Sequence, residues 1–250
     1  MIYTEALKNN IFSIISTCAE ELNLECYVIG GFVRDYIIKK SIPKDIDIVV
    51  VGDGIEFANY VSKKIKNTPK VTIFKTYGTA MFRYNDLEIE FVGARKESYN
   101  ENSRNPKVVT GTLEDDQNRR DFTINSMAFS LNKKHYGALV DPFNGLKDIE
   151  NKLIKTPLSP EVTYNDDPLR MLRAIRFATK LNFEIDKSSL KSIESLSSRI
   201  KIISKERIIV ELNKILLTDK PSIGFTLLEK CGLLKYILPE ITSLKGIDEI

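Results

Sequence analysis

Apolar residues recur every three or four positions near the start of this 250-residue chain. Over residues 4–22 the pattern predicts an amphipathic helix with one face turned to a core. Shorter β-branched and alternating runs follow, which predict strands separated by short helices. The predicted strands are 25–29, 45–51, 70–76, 79–84 and 87–92, and the predicted helices between them are 31–40 and 55–66. This mixture predicts an α+β fold built on a small mixed sheet.

The pattern changes near residue 155, after which helical periodicity dominates. The later predicted helices are 166–182, 186–197, 204–217 and 221–231. We therefore predict two domains, an α/β domain over residues 1–155 and an all-helical domain over residues 156–250. Residues 96–112 are rich in Asn, Ser, Arg and Pro and predict a long mobile loop, a length that hints at function.

Composition limits the classes of function. A hydrophobic content of 42% with 28% charged residues is typical of a globular protein. No apolar run reaches the roughly 18 residues of a membrane span, and the N-terminus lacks the pattern of a secretory signal, so we predict a cytoplasmic protein with no membrane partner. One histidine and three cysteines offer little material for a zinc site or a His-centred triad. Any bound metal should therefore be a hard cation on oxygen ligands. A net charge of +3 is too mild to argue for nucleic acid.

Two aspartates one residue apart, Asp45 and Asp47, begin a predicted strand. Because side chains alternate along a strand, both carboxylates project from one face while Ile46 and Ile48 enter the core. Two such carboxylates can share magnesium ions with a substrate's phosphates. The alternative interpretation is the solvated start of a strand.

A glycine pair precedes these aspartates, between a predicted strand and a predicted helix. Gly30 and Gly31 lack side chains, so backbone N–H groups and the helix N-terminus can approach an anion such as a triphosphate. Arg34 could add a charged donor, whereas Asp35 is as readily a structural salt-bridge partner. A plain Gly-Gly turn is the alternative.

A third carboxylate could come from the predicted strand with the sequence LEIEF. Glu88 and Glu90 share one face of it, and periodicity does not choose between them. Downstream, the stretch RRDFTINSMAF over residues 119–129 predicts a helix with Arg119, Arg120 and Asp121 at a ligand-facing edge. Merely exposed arginines are the alternative interpretation.

The predicted helix over residues 166–182 carries a basic stripe of Arg173, Arg176 and Lys180. Asp167 and Arg170, three residues apart, would be neighbours on its surface. An Asp accepts from an exocyclic amine and an Arg donates to ring acceptors, so the pair suits cytosine and adenine. An intrahelical ion pair is the alternative interpretation.

Six motifs in order and spacing resemble one family: GGFVRD, KDIDIVV, RRDFTINSMAF, DPFNGLKDI, NDDPLRMLRAIRFATKLNF and KERIIVELNKIL. The chain is similar in residues 25–240 to the class II CCA-adding tRNA nucleotidyltransferases and bacterial poly(A) polymerases. That family belongs to the polymerase β-like nucleotidyltransferase superfamily. The resemblance implies a catalytic head with a small mixed sheet, followed by a helical neck.

The resemblance also implies a role for each matching residue. It implies Asp45, Asp47 and Glu90 as catalytic ligands of two Mg²⁺ ions, and so selects Glu90 over Glu88. The nucleotide contacts that it implies are Gly30, Gly31, Arg34, Arg120, Asp121, Asp167, Arg170, Arg173 and Arg176. Glu206 and Arg207, in the last motif, would support the neck.

The expected function is template-independent addition of CCA to the 3′ end of tRNA from CTP and ATP, with release of pyrophosphate. Family members that add only CC tend to have a shortened loop, whereas residues 96–112 match a full-length one. Adding only A, adding only CC, or poly(A) tailing are the close alternatives. A non-catalytic RNA-binding module and a small-molecule nucleotidyltransferase are more distant ones.

Overall fold

A computed structural model of the chain describes residues 1–100, 103–244 and 246, without the side chains of residues 77, 98–100 and 103–107. The chain divides into two compact units. The first comprises Met1–Glu97 and Val108–Lys147, and the second comprises Ser98–Lys107 and Asp148–Ile250. A mixed sheet with helices followed by a helical region confirms the predicted α+β class. Within the described ranges, no helix is long and apolar enough to cross a membrane.

Eleven strands are present among the described residues. They are β1 (Cys26–Ile29), β2 (Asp45–Val50), β3 (Thr72–Phe74), β4 (Thr79–Tyr84), β5 (Leu87–Gly93), β6 (Arg95–Asn100), β7 (Ser103–Thr110), β8 (Ala128–Ser130), β9 (Leu139–Val140), β10 (Leu153–Ile154) and β11 (Glu184–Ile185). Seven of them form the main sheet, in the order β3-β4-β5-β2-β1-β8-β9. Strands β2 and β5 pair in parallel, and the other neighbours in this sheet pair antiparallel.

The α-helices of the described residues number thirteen. They are α1 (Asn10–Glu21), α2 (Gly31–Lys39), α3 (Gly54–Lys64), α4 (Leu113–Asn118), α5 (Thr123–Ser126), α6 (Gly145–Glu150), α7 (Pro160–Asp166), α8 (Leu169–Leu181), α9 (Lys187–Leu196), α10 (Lys205–Leu216), α11 (Pro221–Lys230), α12 (Leu234–Ile237) and α13 (Pro239–Ser243). Short 3₁₀ turns cover Thr4–Leu7, Lys75–Tyr77, Lys133–His135 and Ser197–Ile202. Several helices begin at a side-chain cap, as when the Asp53 carboxylate accepts from the N–H groups of Ile55 and Glu56 at the start of α3.

The core of the first unit lies on both faces of the main sheet. On one face Phe91 of β5 packs against Phe57 of α3, with ring centroids 5.9 Å apart, and against Phe82 at 5.2 Å. The opposite face buries Val49 of β2 in a cluster with Leu113 of α4 and three further residues, Ile29, Ala94 and Ala128. Since Asp45, Asp47 and Val49 alternate with core residues, this second face is apolar at one end of β2 and acidic at the other.

The second unit is mainly helical, with one short parallel pair of strands, β10 and β11. Helix α8 lies at its centre and packs against both α10 and α11. Its buried residues include Met171, Leu172, Ile175 and Ala178, spaced as an amphipathic helix requires. The Asp186 carboxylate caps α9 by accepting from the N–H groups of Ser188 and Ser189.

Three local predictions are wrong. The predicted loop over residues 96–112 instead holds β6 and β7, which pair in a separate two-stranded sheet. The sequence of this segment, rich in Asn, Ser, Arg and Pro, lacks the alternation of apolar residues from which a strand is predicted. The predicted helix over residues 119–129 reduces to the single turn α5, followed by β8, which lies inside the main sheet.

The third correction concerns the helix predicted over residues 166–182. The structure breaks it into α7 and α8, with Asp167 in an extended conformation between them at φ −139° and ψ 100°. Pro168 explains the break, because a proline disfavours the helical conformation of the residue before it. An intrahelical Asp167–Arg170 pair is therefore excluded, since Asp167 precedes the helix.

Candidate functional site

Four carboxylates line one face of the sheet where β2 and β5 run in parallel. The register pairs Asp45 with Glu88 and Asp47 with Glu90, and residues paired in this way project to the same side. Glu88 is engaged by an ion pair with Arg83 on β4. Glu90 lies beside the half-buried Asp47 instead. The geometry therefore favours Glu90 as the companion of the aspartates, which periodicity alone left open.

The electrostatics of Asp47 reflect this crowding. Burial raises the pKa of the Asp47 carboxyl above its ordinary value. The Arg120 guanidinium lowers it, while the carboxylates of Glu90, Asp45 and Asp116 raise it further. Burial and three neighbouring carboxylates therefore together disfavour the charged form of Asp47, and an added cation would favour it.

Gly30 forms the turn that leads from β1 into α2. Its backbone has φ 79° and ψ −127°, a conformation that side chains disfavour. Its N–H group donates to the Met127 carbonyl at 3.1 Å. A Cβ at this position would lie 3.0 Å from Arg120 Nη1 and 3.5 Å from Asp47 Oδ2. The glycine turn, Arg120 and the carboxylate strand therefore meet at one place, as the sequence predicts.

Arg34, one turn into α2, is buried, and its polar partners include Asp35 and Asn125. Its Nε donates to Asp35 Oδ1 at 2.8 Å, and its Nη1 donates to Asn125 Oδ1 at 2.6 Å. The structure thus shows Asp35 as a structural partner. Asn125 Nδ2 in turn donates to Asp121 Oδ1 at 2.9 Å, which ties the predicted nucleotide residue Asp121 into the same buried network.

Asp116 on α4 is a site residue that sequence reasoning missed. It is fully buried, and both predicted ligand-facing arginines bind it: Arg119 Nε at 2.9 Å and Arg120 Nε at 3.0 Å. Burial alone would raise the pKa of Asp116, but Arg120 and Arg119 outweigh it and hold that pKa below its ordinary range. The usable sequence signal was its spacing, three and four residues before the two arginines, which places it on their side of a helix.

The carboxylates suit a divalent metal ion as a donor set. Asp45, Asp47 and Glu90 offer hard oxygen donors on one face, and their mutual repulsion is the charge pattern that Mg²⁺ would neutralise. Over residues 1–100, 103–244 and 246, no three His, Cys, Asp or Glu side chains converge as a preformed metal cage.

The predicted base-reading residues lie in the second unit, at the start of α8. The Asp167 carboxylate accepts from the Leu169 N–H at 3.1 Å, so it caps this helix. Arg170 is buried, and its Nη1 donates to the Thr163 carbonyl at 3.4 Å. Both residues are therefore held in position by backbone contacts.

Glu211 on α10 organises the basic stripe of α8 and was missed by sequence reasoning. It is buried, and its Oε2 lies 2.7 Å from Arg176 Nε, while its Oε1 lies 4.0 Å from Arg173 Nη1 and 3.5 Å from Lys214 Nζ. The Arg176 guanidinium also lies over the Phe177 ring, 4.1 Å from its centroid. Glu206 and Arg207, predicted to support the helical region, are exposed on the first turn of α10.

Comparison with known families matches residues 26–155 to the poly A polymerase head domain. The chain belongs to this family. A second family, described as the probable RNA and SrmB-binding site of polymerase A, matches residues 182–245 of this poly A polymerase family member. The resemblance drawn from the six motifs is confirmed.

Similar proteins carry related names. An A-adding tRNA nucleotidyltransferase of Aquifex aeolicus is 42% identical over 171 residues, which are 68% of this chain and 20% of that protein. A CCA-adding enzyme of Limosilactobacillus reuteri is 38% identical over 219 residues, 87% of this chain and 52% of that protein. The match of this poly A polymerase family member thus spans about half the length of that CCA-adding relative and a fifth of the A-adding one.

A solved structure extends the similarity to the fold. It is a tRNA nucleotidyltransferase complexed with a primer tRNA and an incoming ATP analogue, 32% identical, with a TM-score of 0.78. The match covers 94% of this family member and 64% of that chain. It includes both the sheet and the helices that follow it.

Proposed function

We propose that this chain is a template-independent nucleotidyltransferase that adds CCA to the 3′ end of tRNA from CTP and ATP. The observation that carries the proposal is the parallel register of β2 and β5, which places Glu90 beside Asp47 on one face of the sheet. The adjacent Gly30 turn and Arg120 bring phosphate-binding groups to the same place. The similarity to a tRNA nucleotidyltransferase solved with tRNA and an ATP analogue supports it.

Asp45, Asp47 and Glu90 would hold two Mg²⁺ ions. Magnesium at such a site lowers the pKa of the attacking 3′-hydroxyl and neutralises charge on the leaving pyrophosphate. The role of the three carboxylates would be to hold these ions on one face of the sheet. The sheet keeps them rigid, because each lies on a strand that is paired on both sides.

The remaining residues of the first unit would bind the nucleotide. The N-terminus of α2 after the Gly30–Gly31 turn offers backbone N–H groups to the triphosphate, and Arg34 and Arg120 add guanidinium charge. Asp121, fixed by its contact with Asn125, would define the side of the pocket near the ribose.

In this proposal, residues at the start of α8 select the base of the incoming nucleotide. Asp167 accepts a hydrogen bond from the exocyclic amine of cytosine or adenine, and Arg170 donates to a ring acceptor. Guanine O6 or uracil O4 would meet the carboxylate with a second acceptor and be rejected. Arg173 and Arg176 follow on the same helix as further nucleotide contacts.

Incubation of the purified chain with tRNA lacking its CCA end tests the proposal. With labelled CTP alone we expect two additions, and with CTP and ATP together three additions followed by a stop. Addition of A only to tRNA that already ends in CC would instead identify an A-adding enzyme, the alternative that the 42% identity to the Aquifex aeolicus protein favours. Long A tracts would indicate a poly(A) polymerase, and a stop after two C residues would indicate a CC-adding enzyme.

A metal-ligand variant tests whether the chemistry lies at this site. Asp47→Asn should lose about a hundredfold to a thousandfold in extension rate, because one good electrostatic contact to the reacting atoms contributes roughly 10²–10³-fold. Asp86→Asn, in the exposed turn between β4 and β5, is the matched control and should extend tRNA normally. Extension by Asp47→Asn at the control rate would place catalysis elsewhere. If the unaltered chain binds RNA but transfers no nucleotide, a non-catalytic RNA-binding module is the better description.

A further inference from the structure

Two consecutive arginines share one buried carboxylate at the end of α4. Arg119 contacts Asp116 Oδ1 through Nε and Nη2, while Arg120 contacts Oδ2 through Nε and Nη2, both at 3.0 Å. Asp116 is wholly excluded from solvent, whereas the arginine side chains retain 17% and 16% exposure. Each guanidinium is therefore anchored at one end and presents its remaining N–H groups elsewhere.

The second partners of the two arginines differ. Arg119 Nη1 lies 3.4 Å from Glu97 Oε1, a buried carboxylate on β6 that also binds Arg95 at 2.9 Å. Arg119 is thus enclosed between two buried acids, Asp116 and Glu97.

Arg120 points to the catalytic edge instead. Its Nη1 reaches the Asn125 carbonyl at 3.4 Å and lies 3.0 Å from where a Cβ on Gly30 would be. The same position on Gly30 is 3.5 Å from Asp47 Oδ2. The Nη1 edge of the Arg120 guanidinium, opposite the edge that contacts Asp116, therefore lies where the glycine turn meets the carboxylate strand.

We propose that Asp116 is a positioning residue that fixes the Arg120 guanidinium for nucleotide binding, and that Arg119 is a structural tie to Glu97. An arginine side chain without other contacts loses conformational entropy when it binds phosphate. Two hydrogen bonds from Arg120 to Asp116 already restrict its rotamers, so less entropy is lost when the nucleotide binds. The Glu97 carboxylate contacts Arg119 as well. Of the two Asp116 oxygens, Arg119 contacts Oδ1 and Arg120 contacts Oδ2. The inference rests on the proposed nucleotidyltransferase activity, because it assigns Asp116 to the nucleotide site of that reaction.

The test measures nucleotide addition to tRNA and calorimetric binding of Mg-ATP and Mg-CTP by the full chain. Asp116→Asn should raise the KM for the nucleotide about tenfold or more, with a change in kcat below about threefold, and should weaken nucleotide binding by a similar factor. Glu114→Gln, on the exposed side of the same helix, is the control and should match the unaltered chain. A general loss of structure would not confine the change to KM.

A double-mutant cycle separates positioning from simple damage. If Asp116 acts through Arg120, then Asp116→Asn should add little to the KM change already caused by Arg120→Lys. Full additivity of the two effects, or an unchanged KM in folded Asp116→Asn, would overturn the inference.

If Asp116→Asn does not fold, two lysine variants test the separate roles of Arg120 and Arg119 instead. Lysine keeps the charge but not the fork of N–H donors. Arg120→Lys should raise the nucleotide KM about tenfold, whereas Arg119→Lys should lower the melting temperature with little effect on KM. Equal effects of both on KM would overturn the assignment. Failure of the unaltered chain to bind nucleotide or extend tRNA would instead refute the proposed function, so the two failures are distinguishable.

Discussion

Gly30 has both a backbone conformation and surroundings that no other residue type fits. Its φ of 79° is unfavourable for a side chain, and a Cβ would approach Arg120 Nη1 to 3.0 Å. We expect Gly30→Ala to cost about 1–3 kcal/mol in the free energy of unfolding and to displace Arg120, with a loss of nucleotide addition. Urea unfolding and the tRNA extension assay measure the two effects.

Gly78 supplies the control for this substitution. It also has a positive φ, 64°, but a Cβ there would meet no atom within 4 Å. Gly78→Ala should therefore show a backbone cost and keep its activity. Equal losses of activity in both variants would mean that Gly30 acts only through stability.

At the scale of single residues, the sequence predicted the residues at the candidate site better than the residues that hold them in position. The glycine turn, Arg120 and Asp47 do lie together. Asp116, Glu97 and Asn125, which hold the arginines, were missed because a polar residue outside a clear periodic pattern gives no sign in the sequence that it is buried. Only the three- and four-residue spacing from Asp116 to the arginines hinted at its role.

The parallel pairing of β2 with β5 makes a sharp prediction about two glutamates on one strand face. Glu90 is level with Asp47, whereas Glu88 is level with Asp45 and engaged by Arg83. If Glu90 acts as proposed, Glu90→Gln should lose nucleotide addition by about a hundredfold or more, because it removes a charge beside Asp47. The extension assay at saturating nucleotide measures it.

Glu88→Gln is the matched control, with the same substitution two residues away on the same face. It loses only a surface ion pair with Arg83 and should keep its activity. A larger loss in Glu88→Gln than in Glu90→Gln would reverse the assignment of the third carboxylate.

Glu211 on α10 forms ion pairs with arginines of α8. This buried carboxylate meets Arg176 at 2.7 Å and has Arg173 and Lys214 nearby. Glu211→Gln should lower the free energy of unfolding by about 1–3 kcal/mol, since it leaves buried guanidinium charge poorly compensated. Thermal and urea unfolding measure this, and Glu206→Gln, exposed on the same helix, should show a clearly smaller effect.

At the scale of elements, the long periodic segments were predicted well and the short ones poorly. Helices α1, α3 and α9 to α11 and strands β1, β2, β4 and β5 lie near their predicted positions. Strand β8 was missed because three residues are too few to show alternation, and its pairing with β1 comes from the fold. The break at Pro168 could have been predicted, since the residue before a proline is driven out of the helical region.

Acid should destabilise the molecule as a whole. The pKa of Asp116 is held below its ordinary 3.8 because Arg120 and Arg119 outweigh the effect of burial, and the pKa of Asp186 is lowered because the Ser188 and Ser189 hydrogen bonds outweigh burial. A carboxyl whose pKa is lower in the folded state stabilises above its ordinary pKa, and this contribution is lost as the pH falls through the ordinary value towards the lowered one. The raised pKa of Asp47 acts in the opposite sense.

Urea midpoints measured from about pH 6 down to pH 3 check this expectation. The midpoint should fall across the range, and it should fall less in Asp116→Asn, which has no carboxyl to protonate at that position. A midpoint independent of pH would show that Asp116 and Asp186 contribute little to the acid sensitivity.

For the whole chain, the sequence predicted the order of an α/β region and a helical region, and the motifs identified the family. The sequence motifs do not distinguish addition of A from addition of CCA, because relatives with A-adding and CCA-adding names both match this chain. In the proposed function, base choice would depend on how Asp167 and Arg170 are held by their neighbours, and a linear pattern does not record those contacts.

The parallel pairing of β2 with β5 also bears on how the chain folds. Asp47 and Glu90 are some forty residues apart in the chain, and a parallel pair cannot form through a tight turn. The intervening segment, with α3, β3 and β4, must be closed into a loop before the two carboxylates meet, and such distant pairings form slowly. During refolding, helical signal should therefore return before the ability to extend RNA. During synthesis, a nascent chain that has not yet emerged past β5 has no complete carboxylate set.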